Sequence, residues 1–145
     1  MTSSSAISAR PDLDVAVRIL QAANLPTEDL TASHVEHFSF SGPAAQPTGL
    51  VGLEIFDDVA LLRSLVVTPD RRGKGDGQRL LAHAENQARS SGVRTLYLLT
   101  TTAEKFFARH GFARLAREDA PAAIRSTREF AGICPASSAF MGKAL

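Results

Sequence analysis

Apolar residues recur along this chain with two different periods, and the changes of period mark out its elements. Leu13, Val17 and Leu20 stand at i, i+4 and i+7, with Ala16, Ile19 and Ala23 widening the stripe. A helix is predicted there, opened by Pro11-Asp12 and stopped at Asn24-Leu25-Pro26. Ahead of it, Ala6–Ala9 reads as a short strand and Met1–Ser5 as a frayed polar tail; after it, Thr27–Leu30 reads as a helical turn. His34–Phe40 alternates and predicts a strand. Gly49–Phe56 and Val59–Val67 flank Asp57-Asp58, which predicts a hairpin. Its second arm is apolar throughout except for Arg63 and Ser64, as expected of a strand buried on both faces. A helix follows over Gln78–Ser90, with Leu80, Leu81, Ala84 and Ala88 as its stripe and Ser91-Gly92 closing it. Then come a strand (Thr95–Thr100), a helix (Thr102–His110) capped by Gly111, a strand (Phe112–Ala116), a helix from Ala120-Pro121 through Ile124, Thr127, Arg128 and Ala131, and a last strand (Ser138–Leu145). The expectation is one mixed α/β domain over residues 1–145, built on a single dominant sheet.

Composition removes whole classes of function. The chain has 145 residues, 44% hydrophobic and 21% charged, which is globular and excludes global disorder, a collagen-like fibre and a pure coiled coil. No apolar run approaches the roughly 18–20 residues that span a bilayer. Met1–Arg10 lacks the basic start and apolar core of a signal peptide. The single cysteine, Cys134, excludes an intrachain disulfide and makes a reducing cytoplasm the default. A net charge of +1 argues against nucleic acid as partner. A homodimer stays open.

The segment that carries chemistry runs from Leu65-Val66-Val67 through Pro69 to Gly77. A buried strand delivers the chain to a turn with glycine at 73, 75 and 77, and a helix follows at once. Glycine admits positive φ and lets another group approach the backbone. Free N–H groups of such a loop and the positive end of the helix converge on one spot, which suits a phosphate. Arg72 and Lys74 add charge beside it. A plain structural connector is the other reading. The nucleoside-triphosphate loop G-x-x-x-x-G-K-[ST] is excluded, because no Ser or Thr follows Gly-Lys at the required place. The dinucleotide fingerprint also fails, in its third spacing and in the missing acidic residue about 20 positions on.

Arg72-x-x-Gly75-x-Gly77, following Leu65-Val66-Val67 and Pro69, resembles the acyl-CoA signature of the GNAT acyltransferases. Ala103-Glu104-Lys105-Phe106-Phe107-Ala108-Arg109-His110-Gly111-Phe112 is similar to the family's A-x-x-F-[YF]-x-x-x-G-F helix, at the family's spacing. The resemblance covers roughly residues 6–145. It implies the GNAT fold, a mixed and mostly antiparallel central sheet flanked by helices with a V-shaped acyl-CoA cleft. It implies acetyl-CoA as cosubstrate, without a metal. Leu65, Val66 and Val67 would bond pantetheine through their backbone. Arg72, Gly73, Lys74, Gly75, Asp76 and Gly77 would hold the pyrophosphate, and Thr100, Phe106 and Phe107 would line the cofactor side. Leu99–Ala103, Phe106-Phe107, Gly111-Phe112 and Asp119-Ala120-Pro121 resemble the acetyltransferase domain of N-acetylglutamate synthases. Ala123–Phe130 through Cys134-Pro135-Ala136-Ser137 is similar to small amino-acid acetyltransferases of arsenic-resistance operons. Both imply an amino-acid acceptor, glutamate-like.

Acetyl transfer needs a deprotonated amine about 3 Å from the thioester carbonyl, donors for the oxyanion and a proton acceptor. Glu54, in the apolar strand paired with the cofactor strand, is the expected base; the alternative is an ion pair with Arg63 across the hairpin. Ser64 joins Glu54 as a catalytic candidate. Arg63, Arg125 and Arg128 are the candidates for holding a substrate carboxylate. Phe107 stands where many family members carry a proton-donating Tyr, and Thr100 stands for the usual Asn. Tyr97 reads as core, with the cleft as its alternative. The four histidines have no metal spacing, His83 is expected on a solvent face, and Cys134 reads as a small hydrophobe. A GNAT acting on another small amine, a drug or a protein amine, and a non-catalytic acyl-CoA-binding domain, are the competing functions.

Overall fold

The computed structural model describes residues 6–134 and 137–145; the polar tail Met1–Ser5 and the dipeptide Pro135-Ala136 lie outside the described residues. The chain runs β1 (Ile7–Ala9), α1 (Leu13–Ala22), α2 (Ala32–Val35), β2 (Phe38–Ser41), β3 (Gly49–Phe56), β4 (Val59–Val67), α3 (Asp76–Ser90), β5 (Thr95–Thr100), α4 (Glu104–Arg109), β6 (Ala113–Leu115), α5 (Ala122–Arg125) and β7 (Ala139–Ala144). The seven strands form one sheet in the order β1-β2-β3-β4-β5-β7-β6. Every neighbouring pair is antiparallel except β4 and β5, which are parallel.

Alternation along β3 and β4 sends side chains to two faces. Val51, Leu53, Ala60 and Leu62 pack with Leu80, Leu81, Ala84 and Ala88 of α3 and with Phe107 of α4. On the opposite face Leu50 and Val66 pack under Ala16 and Leu20 of α1, while Leu61 packs under Ile124 of α5 and Phe140 of β7. Leu20, Leu50, Leu61 and Leu80 are fully buried. Each contributes about 2 kcal/mol by transfer from water. Gly52 is required by packing: a Cβ there would lie 2.2 Å from the Phe38 ring.

The structure departs from the sequence reading in three segments. The strand expected from His34 starts only at Phe38, because Thr31 opens a helical turn over Ala32–Val35 with a reciprocal cap to His34. The glycine loop enters its helix at Asp76, two residues before Gln78. The late helix stops at Arg125 and the chain rewinds as a π-type turn over Glu129–Ile133. The Thr127 hydroxyl joins the two: it donates to the Ile124 carbonyl at 2.7 Å and accepts from the Phe130 N–H at 3.2 Å. Among the described residues, no helix is long and apolar enough to cross a membrane.

Candidate active site

β4 and β5 pair only over Val59–Leu61 with Thr95–Tyr97. Beyond that point no ladder joins them, and a cavity of about 410 Å³ opens between Leu62–Leu65 and Leu98–Thr100. A bulge accompanies the opening. The β3–β4 register slips between Leu50 and Gly52, and Ser64 takes a left-handed conformation at φ +62°. A bulge of this kind bends the strand and withdraws a residue from the ladder. The stretch of β4 from Leu62 to Val67 therefore keeps an edge without a strand partner on its β5 side, a row of backbone groups able to pair with an extended ligand.

A second cavity begins where the first ends. Val67, Arg71, Arg72, Gly73, Gly75 and Gly77 line it, and Phe106 borders both cavities. The first helical bond of α3 is Arg79 N–H to the Gly75 carbonyl, at 3.1 Å. The N–H groups from Gly73 to Gln78 find no acceptor among the described residues. Gly73 and Gly75 stand at φ +78° and +85°, and a Cβ on Gly73 would meet nothing within 4 Å. Successive free N–H groups at a helix start form an anion cradle.

The three charged side chains beside the cradle sit differently from one another. Asp76 is buried and turned inward: Arg71 donates to it from Nε and Nη2, both at 2.9 Å, and Arg79 donates as well. Hydrogen bonding from Arg71 outweighs burial and holds the Asp76 carboxyl below its usual range. Asp76 thus anchors the loop and presents only its backbone N–H. Arg72 is exposed and donates to the Val67 carbonyl at 3.3 Å. Lys74 is exposed and outside the cavity wall. Arg109 and His110 do line that wall. They stand three and four residues after Phe106, on the same side of the helix, at positions the aromatic motif leaves unspecified.

Arg63 is the centre of the other end. Its side chain is fully buried, and each of its three nitrogens donates to a neighbour. Nη1 reaches Asp29 at 2.5 Å and Glu54 at 2.8 Å. Nη2 reaches Asp29 at 2.9 Å and Glu129 at 3.0 Å, and Nε donates to the Ser64 hydroxyl at 3.1 Å. Burial works against the cation, but Asp29, Glu129 and Glu54 outweigh it and keep Arg63 charged. For Asp29, burial likewise raises the pKa, yet the bonds and charge of Arg63 prevail and lower it. Arg63 is therefore not a free carboxylate clamp, since all three of its nitrogens already donate to Ser64, Asp29 and Glu54, and Glu129 pairs with Nη2 as well. Of the two readings kept for Glu54, the ion pair is the one present. Glu54 lines a smaller, separate cavity with Asp29, His34 and the exposed Arg128. Arg125 is spent on the carbonyls of Ala120, at 3.0 Å, and Glu118, and lies in neither cavity.

Two buried polar groups in the cleft carry no signal in the sequence pattern. Glu129, on the π-type turn, is 5% exposed and lines the cleft beside Ser64 and Cys134. Burial pushes its carboxyl up to about 7, against the pull of Arg63 and with repulsion from Asp29 and Glu54 adding to the rise. Ser138 is 5% exposed, lines the same cleft, and its hydroxyl is the buried polar side-chain atom without a partner among the described residues. Cys134 also lines the cleft, with burial and then Glu129 pushing its thiol up to about 12, so it is no nucleophile.

The remaining candidates fall as follows. Thr100 lines the cleft and accepts from the Ala103 N–H at 3.0 Å, starting α4. Phe107 is core, edge-on to Phe106 and Phe112, and also reaches the cleft wall. Tyr97 stacks on Phe140 and stays in the core. His83 is half-buried against β2, bonded to the Ser39 hydroxyl at 3.1 Å, rather than facing solvent. Asp29, His34 and Glu54 bring ligand atoms within 4.8 Å of one another, a grouping their sequence spacing hides. The Arg63 guanidinium bonded to both carboxylates repels a metal from that spot.

The sequence profile of the acetyltransferase (GNAT) domain matches residues 39–114. An amino-acid acetyltransferase of Ralstonia nicotianae is 42% identical over 65 residues, 45% of this chain and 14% of that protein. The N-acetylglutamate synthase of Neisseria gonorrhoeae, solved with coenzyme A and L-arginine, superposes with a TM-score of 0.82 at 23% identity, over 99% of this chain and 34% of that one. The same enzyme complexed with coenzyme A and N-acetyl-glutamate gives 0.80 at 22%, over 100% of this chain and 36% of that one. These superpositions show a shared fold, and the present chain spans only a fraction of either relative's length.

Proposed function

The chain belongs to the GNAT acetyltransferase domain family, and from that premise we propose that it moves the acetyl group of acetyl-CoA to the α-amino group of an amino acid. The observation that carries the reading is the row of unpartnered N–H groups from Gly73 to Gln78, joined through Phe106 to the gap between β4 and β5. The cradle fits a pyrophosphate. The β4 edge at Leu65–Val67, which no strand covers, fits an amide-rich arm, and the gap fits a thioester with its acceptor. Backbone donors near the Ser64 bulge would polarise the thioester carbonyl. The amino-acid acceptor, glutamate first, rests on the named relatives. A second reading, a small amine without a carboxylate, is favoured by one observation: all three nitrogens of Arg63 already face carboxylates or the Ser64 hydroxyl. Calorimetry with CoA tests the family chemistry, and rates of thiol release at fixed acetyl-CoA test the acceptor. Glutamate, its α-amide and its decarboxylated amine are compared. Loss of the α-carboxylate should cost about 2–4 kcal/mol in kcat/KM. If the decarboxylated amine reacts as well as the acid, the acceptor is a general amine.

A further inference from the structure

We propose that Glu129 and the hydroxyl of Ser138 form the subsite that receives the acceptor's ammonium group, with Glu129 taking its proton. This rests on the acetyl-transfer reading and names a residue that reading lacks, since Glu54 faces a different cavity. Three carboxylates, Asp29, Glu54 and Glu129, surround one guanidinium. Asp29 satisfies both terminal nitrogens of Arg63 by itself, and Glu54 adds a second anion on Nη1. The third carboxylate is in excess of the charge it faces. Of the three it alone borders the cleft. A buried anion in excess calls for a proton or an incoming cation. The second observation is independent. The Ser138 hydroxyl is buried in the same cleft with no partner among the described residues, a state that costs free energy until a ligand supplies one. An ammonium offers three donors, enough to meet Glu129 and Ser138 together.

The proton balance closes with these groups. Glu129 as carboxylate accepts one proton from the ammonium, leaving the neutral amine. The amine nitrogen bonds to the thioester carbon, the carbon–sulfur bond breaks, and the second nitrogen proton leaves with the departing thiol. Glu129 then returns its proton to solvent through the cleft. The charged or titratable groups facing Glu129 are Arg63 of β4, Glu54 of β3, Asp29 of the turn before α2, and Cys134 of its own segment. With the carboxyl poised near 7, Glu129 is ionised often enough to accept and weakly acidic enough to give back. Arg63 is the positioning residue, since it fixes the carboxylate at 3.0 Å from Nη2.

The test compares wild type with Glu129→Gln, Glu129→Asp and Ser138→Ala. In wild type, kcat/KM for the best acceptor should rise with pH through a limb near 7. Glu129→Gln should lower kcat about 100-fold and lose that limb, with the acetyl-CoA Kd within twofold. Glu129→Asp should recover part of the rate, and Ser138→Ala should raise the acceptor KM about fivefold. A second readout needs no acceptor turnover. Carbon-detected NMR titration of the CoA-bound protein should show one glutamate carboxyl titrating near 7, absent in Glu129→Gln and moved down by methylammonium. If that carboxyl is missing, or if Glu129→Gln keeps both rate and limb, the proposal is overturned while the acetyl-transfer reading stands. If wild type fails to bind acetyl-CoA at all, the reading itself has failed.

Discussion

The two ends of the cleft are built from opposite materials. At the glycine loop, recognition is offered by backbone N–H groups, and the nearest buried carboxylate, Asp76, is already neutralised by Arg71 and Arg79. At the acceptor end, four charged side chains from four separate segments meet around Arg63. A backbone site is disturbed by whatever intrudes on its space. A site of buried charges is disturbed by the loss of any member, because the partners left behind stay desolvated. The first end should therefore tolerate side-chain changes that leave its backbone alone, and the second should not.

The widest separation is expected from removing one cation at each end. Arg63→Met strands Asp29, Glu54 and Glu129 and should cost about 3–5 kcal/mol in urea unfolding. Arg72→Met removes an exposed cation and should stay within about 0.5 kcal/mol of wild type. A loss below about 1 kcal/mol for Arg63→Met would break the contrast, since it would mean the carboxylates take up protons at little expense.

The same contrast explains what was legible in the sequence. The hairpin Gly49–Phe56 and Val59–Val67 and the strand Thr95–Thr100 stand where their apolar patterns put them, because a sheet buried on both faces leaves a continuous signature. The glycine loop was legible for a related reason: its function lies in the backbone, and glycine is the residue that marks unusual backbone. The acceptor end was not. Asp29 and Glu129 are 100 positions apart, and only the fold of α2 and of the π-type turn brings both to Arg63. Arg63 itself stands out as a charge inside an apolar strand, but its partners beyond Glu54 have no period or spacing to read. Helical periodicity through Thr127 and Ala131 even pointed the wrong way, since the chain breaks step after Arg125.

The pH dependence of stability should sharpen the comparison next. The Glu129 carboxyl sits near 7 in the folded protein, against an ordinary value of 4.5. Its contribution is therefore full below the ordinary value and is lost as pH rises through about 7, a change of up to roughly 3 kcal/mol. Asp29, held low by Arg63, runs the other way: its contribution is present above the usual carboxylate range and lost as pH falls below it. Unfolding at pH 5 and at pH 8 should show wild type losing stability relative to Glu129→Gln at the higher pH. Parallel curves for the two proteins would mean that Glu129 carries no unusual proton.

The smallest effect belongs to the backbone end and is the one most specific to it. Gly75 lies at φ +85°, and a Cβ there would come within 3.3 Å of Arg79 Nη1, the mobile end of a half-exposed side chain. Space is thus available, and the penalty for a side chain is mostly the left-handed backbone, about 1 kcal/mol. Asn tolerates that backbone better than most residues, so Gly75→Asn keeps the loop and adds bulk without charge. Gly75→Asp adds bulk and a negative charge where a phosphate should sit. CoA affinity measured by calorimetry should fall at least tenfold for Gly75→Asp, or about 1.4 kcal/mol, and less for Gly75→Asn. Folded Gly75→Asp protein with wild-type CoA affinity would remove the pyrophosphate from this loop. An equal loss in both variants would assign the effect to shape alone. A larger loss for Asp identifies the loop as a site for an anion, because charge is then the only difference the ligand meets.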